Sequence, residues 1–307
     1  MRWRDAAVPL AIFALLAIAP FTGFGQGHSL TLLARAMIFG IAAISLSLAV
    51  GGAGLVSLGH AAMLGVGAYA VVALDHARIT EAWMVVPIAI LAAASFAGAT
   101  GAIAIRTSGV HFIMITLAFG QMAFFATSSL AIYGGDDGYT LYGRTELFGT
   151  RVLENRLFFH FTCLALLALC WALVQTLLLS RFGRVLRAAH ENETRARAVG
   201  FEPYRYRLVA YAIAGGIGGL AGVLLANGAE FVAPAYLTWQ RSGDLLFMVI
   251  LGGTAGPHGA LMGALAFVLI EEWLSHVTEH WRLIFGPLLI LCVYHFRGGI
   301  AGVLRRG

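Results

Sequence analysis

The sequence predicts an all-α, polytopic transmembrane helical bundle of about eight to ten membrane segments, with helices that are re-entrant or broken by Gly and Pro. Of the 307 residues, 60% are hydrophobic and only 11% are charged, whereas soluble domains carry about 25% charged residues. Runs such as 157–179 and 206–226 are long enough to cross a hydrocarbon layer of ~30 Å as helices. These runs do not alternate between polar and apolar residues, as the strands of a membrane barrel would. Helices therefore explain them better than strands.

The apolar spans follow one another along a single transmembrane domain, residues 1–307. The first span follows the basic residues Arg2 and Arg4, in the manner of a signal peptide. No small-residue cleavage pattern comes after it, so we interpret it as a retained signal-anchor helix. The predicted spans cover residues 6–22, 30–50, 57–74, 83–105, 110–133, 157–179, 206–226, 244–270 and 281–296.

Arginine supplies all twenty basic residues. Without Lys the chain cannot form a Walker A loop or a Schiff base, so it does not hydrolyse ATP by a P-loop mechanism. Seven Arg lie between Arg181 and Arg207, which predicts that this loop is cytoplasmic. Arg near each terminus places both ends inside as well. Two inside ends require an even number of crossings, whereas the simple count of spans is odd.

The span at 244–270 offers a solution, because Gly252–Gly259 holds four Gly and one Pro in eight residues. Such a stretch cannot form a continuous helix. A chain that enters, turns at this break and returns to the same side restores the even count. A packing kink and two ordinary short spans remain as alternatives.

A similar break precedes His60, and each break leads into a helix rich in small residues. Paired breaks of this kind are typical of transporters with internal repeats and a central binding site. The match between residues 59–65 and 258–263 is short, so chance similarity in a chain rich in Gly and Ala remains open.

No constellation in the sequence indicates enzymatic chemistry. The His residues form no H-E-x-x-H pattern, no G-x-S-x-G motif occurs, and the three Cys lie inside apolar runs. We expect buried structural thiols, no metal, no cofactor and no catalytic residue. Membrane topology explains the net charge of +5 better than nucleic-acid binding does.

The Arg-rich loop predicts a pair of short amphipathic helices. Apolar residues recur at helical spacing on one face, and Asn192 can cap a second helix, Glu193–Val199, which Gly200 and Pro203 would end. The pair either lies on anionic lipid or docks a soluble partner. The acidic residues within it favour a partner.

Four stretches together resemble the permease subunits of branched-chain amino acid ABC transporters, most closely the LivM type. They are residues 54–62 with 67–69; 115–122 leading to 134–138; 183–188 with 191–193 and 198–200; and 242–243 leading to 248–253. The likeness covers nearly the whole chain. It implies an importer in the bacterial inner membrane, with a sister permease, two cytoplasmic ATPase subunits that bind the ATP, and a periplasmic substrate-binding protein.

The resemblance also implies roles for individual residues. Residues 181–205 would form a cytoplasmic coupling loop and residues 134–156 a periplasmic loop. The ATPase-docking residues would be His190, Glu191, Asn192, Glu193, Ala198 and Gly200. The translocation pathway would involve Ser57, Gly59, His60 and Thr116, together with Gly252 and Gly253 at the second break; Gly135, Asp136 and Asp137 would face the binding protein. His190 stands where the family often has Arg.

Other functions remain open on the sequence. Related permeases for urea, short amides or aromatic acids share these motifs. A self-sufficient channel or secondary carrier belongs to a different class, and it predicts acidic residues deep in the membrane and no docking loop. The Arg-rich loop and the scarcity of deep acidic residues disfavour that alternative.

Overall fold

The computed structural model describes residues 3–21, 27–254, 256–278, 280, 283–287, 290–291 and 298–306. Helices dominate these residues, which confirms the predicted fold class. The helices are α1 (Trp3–Ile18), α2 (Gly27–Ser47), α3 (His60–His76), α4 (Ala82–Ala104), α5 (Val110–Ser128), α6 (Arg156–Leu179), α7 (Arg181–Glu191), α8 (Glu193–Ala198), α9 (Pro203–Ala229), α10 (Trp239–Gly252), α11 (Pro257–Val277) and α12 (Gly299–Arg306). Two short strands, β1 (Tyr139–Thr140) and β2 (Phe231–Val232), pair antiparallel.

Six segments of the described chain are long and apolar enough to cross a membrane. They are Ser29–Gly52, Ala82–Ala104, Val110–Ser128, Arg156–Leu179, Pro203–Ala229 and Pro257–Val277. The predicted span at 57–74 contains a shorter helix, α3, which has 17 residues. The predicted span at 244–270 is divided between α10, which has 14 residues, and α11. Most of the span predicted at 281–296 lies outside the described residues.

Helix α9 defines two ends of the bundle. It has 27 residues and is therefore about 40 Å long. Its first turn follows α8 closely, and its last residue leads through Glu230 into β2. We call the end that carries α7 and α8 the α7 end. We call the opposite end, which carries β1, β2 and residues 134–156, the ladder end.

The centre of the bundle is built on close helix contacts around α9. A Cβ on Gly219 would lie 2.5 Å from the Ala93 Cβ of α4, and one on Gly222 would lie 1.9 Å from the Leu64 carbonyl oxygen of α3. In a membrane, helices associate through such close packing of small residues rather than through the hydrophobic effect. The glycines of α9 therefore bring α3 and α4 against it.

The two predicted breaks are both present. Helix α2 passes into a π-helical turn, Leu48–Gly52, and the chain is then unwound until Gly59. The second break separates α10 from α11. These two helices are antiparallel, since a Cβ on Gly263 would lie 1.9 Å from the Met248 carbonyl oxygen and one on Gly252 would lie 1.8 Å from the Gly259 carbonyl oxygen. The chain thus turns at the second break and runs back.

Helix α1 packs on α6. The His160 Nε2 lies 3.0 Å from the Leu16 carbonyl oxygen, and the Phe13 and Trp171 rings meet edge-on at 5.9 Å. Cys163 and Cys170 of α6 are buried free thiols, as expected. Cys292 lies outside the described residues.

Candidate pathway and docking sites

Ser57 lies in a buried polar cluster between helices. Its hydroxyl is 3.0 Å from the Tyr211 hydroxyl of α9 and accepts a hydrogen bond from the Gly59 amide at 3.2 Å. His60, the first residue of α3, has its Nε2 2.6 Å from the Ser45 hydroxyl of α2. Buried polar groups are tolerated when they are paired. This pairing therefore fixes the unwound chain between α2 and α3.

Helix α3 begins without a capping side chain of its own, because its N-cap residue is Gly59. The first amide groups of a helix need partners from outside that helix. The Ser242 hydroxyl of α10 accepts from the Ala61 amide at 2.9 Å, and the Thr116 hydroxyl of α5 accepts from the Leu58 amide at 3.3 Å. Helices α5 and α10 therefore hold the start of α3.

Gly59 also makes a backbone contact that excludes a side chain. A Cβ at this position would lie 2.3 Å from the Thr116 carbonyl oxygen. On the other side of the contact, a Cβ on Gly120 would lie 3.3 Å from the Gly59 Cα. The unwound chain and α5 thus meet backbone to backbone.

The second break contacts the first. A Cβ on Gly51 would lie 2.2 Å from the Thr254 carbonyl oxygen. Gly253, with φ of +105°, lies against Gly298, the residue before α12, because its Cβ would be 2.5 Å from the Gly298 carbonyl oxygen. The two breaks and the start of α12 therefore meet at one place.

The six predicted pathway residues fall into two groups. Ser57, Gly59, His60 and Thr116 come together around the start of α3, whereas Gly252 and Gly253 lie at the second break. All six are buried within the chain. Ser45, Tyr211 and Ser242 complete the first group, and the sequence analysis did not identify them. Each could have been recognised only as a polar side chain within an apolar run.

Helix α7 presents an apolar face to the bundle. The Ser180 hydroxyl caps it by accepting from the Gly183 amide at 3.4 Å. Gly183, Leu186 and Ala189 are buried at a spacing of three residues, and Phe182 is half-buried. The charged side of the helix is left outward.

Helix α8 has the ends that the sequence predicts. The Asn192 side chain accepts from the Arg195 amide at 2.9 Å, and Gly200 adopts φ of +93° just past the last turn. Pro203 then opens α9, where its missing amide hydrogen costs nothing.

Glu193 ties α8 to α9. Its carboxylate accepts from the Arg207 Nη1 at 2.7 Å and also pairs with Arg197, while the Arg207 Nη2 donates to the Ala189 carbonyl oxygen at 3.0 Å. Partial burial of the Glu193 carboxyl raises its pKa, but hydrogen bonds and charges from Arg207 and Arg197 outweigh that effect and hold the pKa below its ordinary value.

The other predicted docking residues are largely exposed. His190, Glu191, Asn192, Ala198 and Gly200 are exposed, and Glu193 is half-buried. Val199 is 71% exposed and Phe201 is 39% exposed, which gives this basic surface an apolar patch. In the sequence, Val199 and Phe201 can be recognised only as the apolar residues on either side of Gly200.

His190 also contacts the first break. Gly54 has φ of +71°, and a Cβ there would lie 2.5 Å from the His190 Cδ2. A Cβ on Gly52 would lie 3.2 Å from the Leu186 Cδ2 of α7. The helix with the predicted docking residues is therefore packed on the chain that leads to Ser57.

The predicted binding-protein residues lie at the ladder end in a tight glycine loop. Gly134, Gly135 and Gly138 have φ of +87°, +54° and +83°, which glycine adopts readily. Asp136 and Asp137 are exposed between them, whereas Gly135 is buried. Strand β1 follows directly. The loop thus presents two carboxylates about one length of α9 away from the docking residues.

Within the described ranges, no group of three His, Cys, Asp or Glu side chains could hold a metal ion. The polar contacts of the buried cluster satisfy helix ends and neighbouring hydroxyls. These contacts are therefore of the kind that hold helices together, not of the kind that form a catalytic site.

Comparison with known proteins gives one family and several relatives. A family model described as branched-chain amino acid transport system permease component matches residues 29–293. The chain is 27% identical to the high-affinity branched-chain amino acid transport system permease protein LivM of Salmonella typhimurium, over 92% of this chain and 72% of that protein. It is 28% identical to LivM of Escherichia coli, over 83% of this chain and 65% of that protein.

A more distant relative carries a different substrate in its name. The autoinducer 2 import system permease protein LsrC of Salmonella paratyphi B is 28% identical over 48% of this chain and 43% of that protein. No solved structure matches the chain.

Proposed function

The chain belongs to the family of branched-chain amino acid transport system permease components, and we propose from this premise that it forms half of the transmembrane pathway of an ABC importer. A sister permease would supply the other half. Two cytoplasmic ATPase subunits would bind and hydrolyse the ATP, and a periplasmic binding protein would deliver the substrate. Neither a cofactor nor nucleic acid has a part in this function.

The α7–α8 surface is the single observation that carries the proposal. It combines an apolar patch at Val199 with exposed charged residues, and its inner side is packed on the first break through Leu186 and His190. A helix pair that merely lay on lipid would turn its apolar residues toward the membrane. Here Leu186 faces the bundle while Val199 faces outward, which suits a protein partner.

The exposed surface of α5, rather than the buried pathway residues, supports a pathway between two permeases. Helix α5 buries only Phe112, Thr116 and Gly120, so most of its surface is left for another protein or for lipid. We place the pathway along the outer sides of α5 and α10, with the Ser57 cluster behind them. ATP binding by the partners would shift α7, and through it the start of α3.

Differential affinity for two conformations would couple these steps. The binding protein would favour the outward-open state through the ladder end, where Asp136 and Asp137 are exposed. The ATPases would favour the other state through the α7 end. This orientation places the α7 end and both termini in the cytoplasm, and the 134–156 loop in the periplasm of a bacterial inner membrane.

Branched-chain amino acids are the substrate class we propose. The LivM relatives align with most of this chain, whereas LsrC aligns with about half of it. A carrier that worked alone would need acidic groups deep within its spans. Glu271 of α11 instead lies toward the ladder end, where two of its oxygens are each 3.1 Å from the Arg35 Nη2, which disfavours that alternative.

A pair of cysteine variants tests the docking assignment and the orientation together. In a background without the native cysteines, Val199→Cys should cross-link to the ATPase subunit in the assembled complex. Tyr142→Cys is the matched control, since Tyr142 is 92% exposed at the ladder end; it should cross-link only to the binding protein.

The opposite pattern, with the ATPase linked to Tyr142→Cys, would show that the orientation is reversed. If neither variant links to an ATPase while the complex still transports, α7 and α8 are not the docking element. Transport of labelled leucine, with urea and phenylalanine as competitors, tests the substrate class in the same complex.

A further inference from the structure

Three arginine side chains meet in one pocket at the ladder end. Arg35 of α2, Arg144 of the 134–156 loop and Arg156 of α6 line a pocket of about 110 Å³. Its wall also includes the apolar side chains of Phe159 and Leu225. A site that combines guanidinium groups with an apolar wall suits an anionic amphiphile, and basic pockets between membrane helices are known to bind anionic lipid head groups.

Arg156 is not explained by the rest of the chain. Its side chain is exposed, and no described residue forms an ion pair with it. It is the first residue of α6, where the positive end of the helix dipole disfavours a cation. Its guanidinium is therefore available to an anion, and helix stability does not account for its position.

Arg35 and Arg144 keep donors available beside their ion pairs. Arg35 uses Nη2 for both carboxylate oxygens of Glu271. Arg144 uses Nε for Glu230 at 3.0 Å and Nη1 for the Leu153 carbonyl oxygen at 2.7 Å. Two carboxylates thus face three guanidinium groups, and the pocket retains an excess of positive charge.

An apolar groove adjoins this pocket. Phe159 also lines a groove of about 490 Å³ between α4, α6 and α9, whose wall includes Phe158, Ala165 and Leu220. The pocket lies where α2 and α6 begin and α9 ends, which is the level of the lipid phosphates. The groove extends from there along the spans, where acyl chains lie.

We propose that the pocket and the groove together bind one anionic phospholipid. Its phosphate would lie among Arg35, Arg144 and Arg156, and one acyl chain would fill the groove beside Phe159. Phosphate oxygens are strong acceptors for arginine, and such charge-assisted hydrogen bonds are about twice as strong as neutral ones. This inference does not depend on the proposed transport function.

Native mass spectrometry of the detergent-purified full chain tests the proposal. The chain is incubated with phosphatidylglycerol or with phosphatidylcholine of the same acyl chains, and retained lipid is counted. The wild-type chain should retain phosphatidylglycerol preferentially. Arg156→Gln should weaken retention about tenfold, the loss of one charge-assisted hydrogen bond, and Arg156→Lys should recover part of it. Arg151→Gln, the same charge change at the same end but outside the pocket, should have little effect.

A second pair of variants tests the groove. Ala165→Phe should reduce retention by filling it, whereas Ala172→Phe, an exposed position on the same helix outside the groove, should not. Thermal unfolding verifies that each variant is folded. If Arg156→Gln is not folded, the retention measured for Ala165→Phe tests the proposal in its place. Equal losses in Arg156→Gln and Arg151→Gln would overturn the proposal. So would complete displacement of the lipid by inorganic phosphate, which would indicate a site for free anions.

Discussion

Gly54 lies directly against the imidazole ring of His190, with no room between them for a methyl group. His190 belongs to the last turn of α7, and Gly54 belongs to the first break. A displacement of α7 would therefore reach the backbone at Gly54 through the His190 ring. That backbone leads within three residues to the buried Ser57 hydroxyl.

Replacement of Gly54 by Ala should uncouple ATP hydrolysis from transport. The φ of +71° costs a residue with a Cβ about 1–2 kcal/mol, and the new methyl group also displaces the His190 ring. We expect lower leucine uptake by the reconstituted complex, with ATP hydrolysis largely retained.

The cost of the backbone strain at Gly54 and the cost of the clash with His190 can be measured separately. His190→Ala should relieve the clash but leave the backbone strain, so the double variant should recover part of the lost stability. Gly98→Ala is the matched control, because a Cβ there has no neighbour within 4 Å and a helical Ala is favoured over Gly. Full coupling in Gly54→Ala would contradict the role we give to this contact.

Ser57→Ala should destabilise the chain by about 1–3 kcal/mol, the cost of leaving buried polar groups unpaired. Both the Tyr211 hydroxyl and the Gly59 amide lose their partner. In the Ser57→Ala background, Tyr211→Phe should then cost little, whereas it should be harmful alone. Thermal unfolding of the four proteins measures this cycle, with Ser129→Ala as the exposed control. Strict additivity would show that the two hydroxyls do not interact.

The Glu193 ion pair makes stability depend on pH in the acid range. The pKa of Glu193 is held below its ordinary value by Arg207 and Arg197. Its contribution to stability is therefore fully present above that ordinary value and is lost as the pH falls through the folded-state pKa. The melting temperature should therefore fall less steeply between pH 6 and pH 3 in Glu193→Gln than in the wild-type chain. Glu191→Gln, on the same surface but without an ion pair among the described residues, should follow the wild-type profile.

Asp136 and Asp137 should contribute to binding-protein affinity through charge. The double change Asp136→Asn and Asp137→Asn should weaken binding to the complex mainly at low salt, because exposed charges are screened beyond about 10 Å at 0.1 M ionic strength. Surface plasmon resonance at two salt concentrations measures the difference. Glu154→Gln, half-exposed at the same end, is the control, and an equal loss in that variant would show only a general field effect.

Local features of this chain could be read from its sequence because they depend on neighbouring residues. The cap at Asn192, the left-handed Gly200 and the break after Gly252 each follow from the conformational preferences of a few adjacent residues. Helix ends were less accurate. The predicted span at 57–74 begins three residues before α3, because the chain up to Gly59 is unwound and is held by other helices.

Contacts between distant residues could not be read in the same way. Arg35 and Glu271 are 236 positions apart, and each looks like an ordinary charge near a span end. The contact between Gly51 and Thr254 is likewise set by tertiary packing. Glu193 looked like a residue for a partner, but much of its hydrogen-bonding capacity is used within the chain by Arg207.

Helix α9 is tied near each end by an ion pair, through Arg207 to Glu193 at one end and through the adjoining Glu230 to Arg144 at the other. Because α3 and α4 pack closely against the glycines of α9, a sideways force on α8 would move these three helices together. The two sides of the bilayer would then be coupled through one rigid group of helices rather than through a series of side-chain rearrangements.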